Sequence, residues 1–266
     1  FGATGNFSYN KNKILDLGGV SEMKDPKNDN KYRTVGERLN SYYMYEAKGF
    51  FSSDEEAQAW MDKYSGQDGY PFGTSKFKGG DLIYQDTNGD GKITSDDRKI
   101  SGSSDPSYTY GLNLTGGYKG FDLSLMFTGA AGGRMLLTDD GVGYFKGDDS
   151  HPSTAWLDAW TPENQDAKMP RIAYATSSPS MYSNYVSTFW LQNTSYLRLK
   201  NLQFGYTFPQ NWIKPLGVQS LRVYYSAENL FTISNMLINV DPEITVERAS
   251  NYPLVQTHSF GVNLTF

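Results

Sequence analysis

Apolar and polar residues alternate strictly at the end of the chain. Phe260, Val262, Leu264 and Phe266 are interleaved with Ser259, Gly261, Asn263 and Thr265, the period-two pattern of a strand with one apolar face. The same pattern predicts a hairpin over 108–128. Tyr108, Tyr110, Leu112 and Leu114 lead into Gly116-Gly-Tyr-Lys-Gly120, and Phe121, Leu123, Leu125 and Phe127 follow. Tyr196 to Phe208 alternates with a register change at Asn201, and Leu221, Val223, Tyr225 and Ala227 alternate with Arg222, Tyr224, Ser226 and Glu228. Weaker strands are expected over 1–10 and over 38–47, where Tyr42, Tyr43 and Tyr45 blur the alternation. One helix is expected after Ser53: Glu56 completes a capping pattern, and Ala57, Trp60, Met61 and Tyr64 form a stripe at helical spacing. A short helical piece is expected at 152–160, and 16–36 reads as a connection.

The closing strand contains no charged residue, and it has no lysine, bulge or proline of the kind that protects an exposed edge. Its edge is therefore expected to be paired, and closure of a barrel pairs every edge. Counted back from the last strand, the turns at 116–120 and 209–218 are short, whereas 49–106, 129–195 and 230–256 are long. Transmembrane barrels have this asymmetry, with long extracellular loops. Connection 12–37 does not fit it. Seven strands are an odd number for such a barrel, so the chain is read as an all-β, C-terminal portion of a large transmembrane barrel whose missing strands lie elsewhere. Phe1 to Asn10 resembles the second half of a strand, so the chain is expected to begin in mid-protein.

Composition is consistent with that expectation. Aromatic residues make up 15% of the chain, and the mean hydropathy of -0.57 is compatible with strands in which only alternate residues face lipid. No apolar run approaches the length of a membrane helix. A net charge of -5 without a basic cluster argues against nucleic acid as a partner. The absence of cysteine removes disulfides and thiolate chemistry.

The sharpest local motif is Asp86-Thr-Asn-Gly-Asp-Gly-Lys-Ile-Thr-Ser-Asp-Asp97. Asp86, Asn88, Asp90, the Lys92 carbonyl and Asp97 stand at the ligand positions of a calcium loop, with Gly91 at its sharp turn. A structural Ca2+ is expected there, the alternative being an ion-free turn. Tyr144, Phe145, Trp156 and Trp160 in the long loop 129–195 are candidates to stack on a substrate, or else pack the loop or meet a partner. Trp190 and Trp212 near strand ends suit an interfacial aromatic girdle. His151 and His258 are the only histidines and are far apart in sequence. No constellation for catalysis is present, and the protein is not expected to be an enzyme.

Several motifs in order carry a family resemblance: Gly80-Asp-Leu-Ile-Tyr-Gln-Asp-Thr-Asn-Gly-Asp-Gly91, the run from Tyr110-Gly-Leu-Asn-Leu114 through Tyr118-Lys-Gly-Phe-Asp-Leu-Ser124, Ser195-Tyr-Leu-Arg-Leu-Lys-Asn-Leu202, Gly205-Tyr-Thr-Phe-Pro209, Leu221-Arg-Val-Tyr-Tyr-Ser-Ala-Glu-Asn-Leu-Phe231 and the closing strand. The chain resembles the C-terminal part of SusC/RagA-type TonB-dependent outer-membrane transporters of Bacteroidetes. The resemblance implies a 22-stranded barrel in the outer-membrane lipid, completed by an N-terminal barrel and plug segment. It also implies a SusD-like surface lipoprotein as partner, coupling to TonB–ExbB–ExbD through the plug, and an oligosaccharide or peptide as substrate. The competing reading is a calcium-stabilised β-rich module, soluble or surface-anchored, for glycan binding or adhesion.

Overall fold

A computed structural model describes residues 1–26, 28–137, 152–174, 178–180, 187–237, 240–243 and 252–266. In chain order the strands begin with β1 (Gly2–Tyr9), β2 (Glu22–Asp25), β3 (Asn28–Thr34), β4 (Ser41–Tyr45) and β5 (Ala47–Phe50). Helix α1 (Asp54–Tyr64) follows, then β6 (Leu82–Tyr84), β7 (Arg98–Ser103), β8 (Tyr108–Tyr118), β9 (Phe121–Ala131), β10 (Arg134–Leu136) and β11 (Leu191–Asn193). The chain closes with β12 (Tyr196–Thr207), a single helical turn α2 (Gln210–Ile213), β13 (Ser220–Ser234) and β14 (Thr257–Thr265).

Six long strands form one antiparallel sheet in the order β1-β8-β9-β12-β13-β14. The β8–β9 hairpin turns on two residues, Lys119 and Gly120, both at positive φ (48° and 88°), so Tyr118 pairs directly with Phe121. The turn is therefore tighter than the five-residue Gly116–Gly120 stretch expected from sequence, and its twist suits a hairpin. The expected register change in β12 falls between Leu199 and Asn201. Cross-strand registers place Leu112, Phe127, Leu199 and Phe231 in one row, and Phe121, Tyr206, Val223 and Val262 in another. One face of this sheet is thus apolar across its strands.

The sheet is open. Among the described residues β1 pairs only with β8 and β14 only with β13, leaving an outer edge at each end. This overturns the expected closed barrel, and with it the C-terminal portion of a 22-stranded transmembrane barrel. A membrane-spanning sheet must pair all its edges, so the expected transmembrane strands and multi-pass outer-membrane placement are overturned by the same finding. Period-two alternation specifies that one face of a sheet is apolar. It does not specify that the two ends of the sheet meet.

Three smaller sheets, β2-β3-β4-β7, β5-β6 and β10-β11, belong to a separate lobe. The lobe is built from connections that all leave one end of the large sheet, because β1 pairs directly with β8 and residues 10–107 therefore form a single excursion. The strand expected at 38–47 exists as β4 but lies in this lobe, so the large sheet has six strands rather than seven. Segment 16–36, expected as a connection, contributes β2 and β3. The difficulty with 12–37 disappears, since that stretch does not join two strands of the large sheet.

Two hydrophobic cores hold the lobe. In the first, Tyr42, Met44, Met135, Leu136, Leu137, Trp156, Met169, Trp190 and Leu191 are buried together. In the second, α1 presents Ala57, Met61 and Tyr64 to Phe51, Phe72, Phe77, Leu82, Tyr84 and Ile93. Helix α1 starts where expected: Ser53 caps it by accepting from Glu56 N at 3.2 Å, while Glu56 reaches back to Ser52 N at 2.6 Å. Strand β4 feeds both cores, Tyr42 and Met44 the first and Tyr45 the second. A strand covered on both faces carries no alternation, which accounts for its blurred pattern.

Candidate functional site: a cleft between the sheet end and the lobe

Where the lobe meets the large sheet, a cleft of about 560 Å³ opens, within the size range of small-ligand sites. Its walls come from distant parts of the chain: Lys31 on β3, Tyr42 on β4, Asp105 before β8, Arg134 on β10, Tyr196 on β12, and Glu243. The floor is held by polar contacts. Asn40, in the left-handed region at φ 58°, donates to both carboxylate oxygens of Asp105 at 3.0 and 3.1 Å. Arg38 donates to the Asp105 carbonyl at 3.0 Å and to Ser107 Oγ at 2.8 Å.

One wall rests on a buried guanidinium. Arg198 is 1% exposed and donates to Thr232 Oγ1 at 2.8 Å, Asp241 at 2.7 Å and Glu243 at 2.5 Å. Charge-assisted contacts of this kind fix the 241–243 segment against β12 and β13. Tyr196 also donates its hydroxyl to Glu243. Burial, reinforced by that neighbouring carboxylate, pushes the Tyr196 phenol well above its ordinary range, so it remains a donor. Two carboxylates face one guanidinium, which leaves the wall with an excess negative charge.

Cations share the lining. Lys31 Nζ lies 3.2 Å from Ser104 Oγ and 4.8 Å from the centroid of the Tyr42 ring. Arg134 is half-buried in the cleft wall. The cleft can therefore offer donors and positive charge from Lys31 and Arg134, and carboxylate oxygens from Asp105 and Glu243. No nucleophile–base pair is assembled among these residues.

Those residues singled out from sequence that the structure describes lie elsewhere. Trp156 and Trp160 are both buried: Trp156 packs 6.4 Å from Trp190, and the Trp160 ring covers Gly79 and Gly80. Tyr144 and Phe145 fall outside the described residues, as does His151. Trp190, expected in an aromatic girdle, is instead a core residue that donates its indole N–H to Ser180 O at 3.0 Å. His258 lies in β14, with Nδ1 2.6 Å from the Tyr225 hydroxyl.

The 86–97 loop joins β6 to the 3₁₀ turn Ser95–Asp97 that precedes β7. Its acidic side chains engage its own backbone. Asp86 accepts from Gly89 N and Gly91 N, Asn88 from Asp90 N, and Asp90 from Lys92 N. Asp97, fully buried, accepts from Thr87 N and Thr94 N. Among the described residues no three His, Cys, Asp or Glu side chains converge to hold a metal ion.

No family model matches the chain. TonB-dependent receptor P3 of Formosa agariphila is 30% identical over 98% of this chain, and the receptor SusC of Bacteroides thetaiotaomicron is 26% identical over 98%. A solved structure of the RagAB peptide importer in its open-open state shares 25% identity and a TM-score of 0.66 over 99% of the chain. The chain spans about a quarter of the length of these proteins, 26%, 24% and 26% respectively. The resemblance to SusC/RagA-type receptors thus holds as distant homology, whereas the expectation that this chain is a portion of a closed barrel does not, because its sheets are open. The homology supports a transport-related role, and that role is non-enzymatic.

The cleft residues Lys31, Asp105, Arg134 and Glu243 were not marked by any sequence motif. One signal was available for Arg134. It interrupts Gly132-Gly-Arg-Met-Leu-Leu137, a lone cation at the head of a run that enters a core.

Proposed function

We propose that this chain is a ligand-capturing part of a peptide-uptake receptor, with the cleft between sheet and lobe as its capture site. On this reading it works with a SusD-like lipoprotein and draws on TonB–ExbB–ExbD for release of the ligand. The observation that carries the proposal is the cleft's chemistry: two cations and two carboxylates in one lining match the donors, acceptors and terminal charges of a short peptide. The likeness to a peptide importer along nearly the whole chain adds support.

A second reading, a β-rich glycan-binding module, draws on the polar lining of the same cleft, since its donors and acceptors suit sugar hydroxyls as well. Calorimetric titration of the purified protein with mixed tripeptides and with neutral oligosaccharides separates the two. Peptide binding that is lost in Glu243→Gln is the expected result. Binding of oligosaccharide alone would overturn the peptide reading in favour of the glycan module.

We also propose a Ca2+ ion at Asp86, Asn88, Asp90, Lys92 and Asp97. Ligand spacing supports it, while the carboxylates' engagement with backbone N–H groups does not require it. A thermal midpoint that rises with millimolar calcium and falls back with chelator is the expected outcome. An unchanged midpoint would leave an ion-free turn.

A further inference from the structure

We infer that Arg134 is the anchor for a ligand carboxylate, and that the cleft takes ligands with one free carboxylate in preference to their uncharged amides. This rests on the reading of the cleft as a capture site and names what it selects. The other arginines with ion pairs show the contrast. Arg198 meets Asp241 and Glu243, Arg222 meets Asp122, Arg171 meets Asp81, and Arg33 meets Asp25. The Arg134 guanidinium has no carboxylate or hydrogen-bond partner among the described residues, although the residue is half-buried and lines the cleft. A guanidinium partly removed from water favours a planar anion that engages its fork of N–H donors, and a carboxylate fits that fork in bidentate fashion.

Its position is constrained by the fold. Gly102, at φ 111°, brings its backbone so close to the Arg134 stem that an added Cβ would stand 3.1 Å from Arg134 Cγ. On β10, Arg134 is held in register with Asn193 of β11. A Cβ on the preceding Gly133 would meet Thr194 Oγ1 at 2.7 Å, so the strand is seated tightly at that point. The side chain therefore extends from a fixed backbone.

The rest of the lining limits the charge of the ligand. Lys31 Nζ, with one hydrogen bond to Ser104, retains donors for the same anion. Asp105 and Glu243 share the lining. They repel a second anionic group and accept from an ammonium or hydroxyl, so a zwitterion is preferred over a polyanion.

The test is calorimetric titration of the purified protein and its Arg134→Gln and Arg134→Lys variants. Each is titrated with an alanine-rich tripeptide acid, its C-terminal amide, and an amidated tripeptide containing one aspartate. Wild type is expected to bind the acid roughly ten-fold more tightly than the amide, the range of a charge-assisted hydrogen bond. Arg134→Gln should erase that preference, acid and amide then binding alike, with an unchanged thermal midpoint. Arg134→Lys should restore part of it. If the amidated aspartyl peptide matches the acid, the carboxylate comes from a side chain and the anchor stands. A preference that survives Arg134→Gln would overturn the assignment and leave the cleft as capture site. If no peptide binds wild type in either form, the capture reading itself fails and the assignment fails with it.

Discussion

The large sheet and the lobe use apolar residues in opposite ways. In the lobe, Leu82, Leu136, Met44 and Met169 are fully buried, and rings from β4, α1, β6 and the intervening loops pack edge to face. In the sheet, Phe260 is 84% exposed, and Phe7, Phe121 and Val262 are also exposed. The lobe therefore satisfies its hydrophobic pattern internally. The sheet gains its order from backbone ladders and cross-strand pairs, each of which contributes only about 0.2–1 kcal/mol. Apolar alternation fixes which residues share a face, whereas burial of that face is a separate property that the two regions do not have in common.

Truncating equivalent bulk in each region tests the contrast most strongly. Leu82→Ala empties a fully buried site in the second core and is expected to cost about 2–5 kcal/mol. Phe260→Ala removes a larger side chain from an exposed strand position and is expected to cost less than about 1 kcal/mol. Denaturant midpoints of the two variants measure the difference. Equal losses would show that the sheet's apolar face is covered in solution.

Glycines allow a finer comparison. In the lobe, Gly80 adopts φ 82°, and a Cβ there would stand 2.4 Å from the Trp160 ring. Gly80→Ala should therefore cost about 1–3 kcal/mol through overpacking of a ring that cannot move away. In the sheet, a Cβ at Gly205 would meet Arg222 Nη2 at 2.5 Å and Asp122 Oδ1 at 2.6 Å. Both are the far ends of side chains on a half-open face, so they can swing aside. Gly205→Ala is expected to break that ion pair at a cost within about 1 kcal/mol, as read from thermal melts.

How far the sequence revealed the structure follows the same division. Strands β8, β9, β12, β13 and β14 were legible because one face is apolar and the other polar, and even the register change near Asn201 left its mark. Closure was not legible, since it depends on what stands beside β1 and β14. Strand β4 was obscured by burial on both sides. The cleft was invisible because Lys31, Asp105, Arg134 and Glu243 come from separate segments that only the lobe's packing brings together. Trp156 and Trp160 attracted attention as binding rings because an aromatic residue in a long loop has the same appearance whether it faces a ligand or a core.

The smallest effect, and the one most specific to the sheet, concerns pH. Arg222 Nε and Nη2 donate to Asp122 at 2.9 and 2.5 Å across Gly205. Hydrogen bonding from Arg222 holds the Asp122 carboxyl below its ordinary range, and the pairing raises the guanidinium in turn. A carboxylate with a depressed folded-state pKa contributes stability that is fully present above its unfolded value of about 4. That contribution is lost as pH falls through the lower folded value. Because the Asp122 side chain is 40% exposed, solvent screening keeps it within about 1 kcal/mol. Comparison of wild type with Asp122→Asn isolates it: wild type should be slightly more stable at pH 6, and the two should converge as the pH is lowered toward 2. High salt should narrow the gap at pH 6, as befits a pair in contact with water. The Leu82→Ala loss, being apolar, should persist at both pH values. A gap between wild type and Asp122→Asn that stays constant with pH would mean that the pair contributes through packing on the sheet and not through charge.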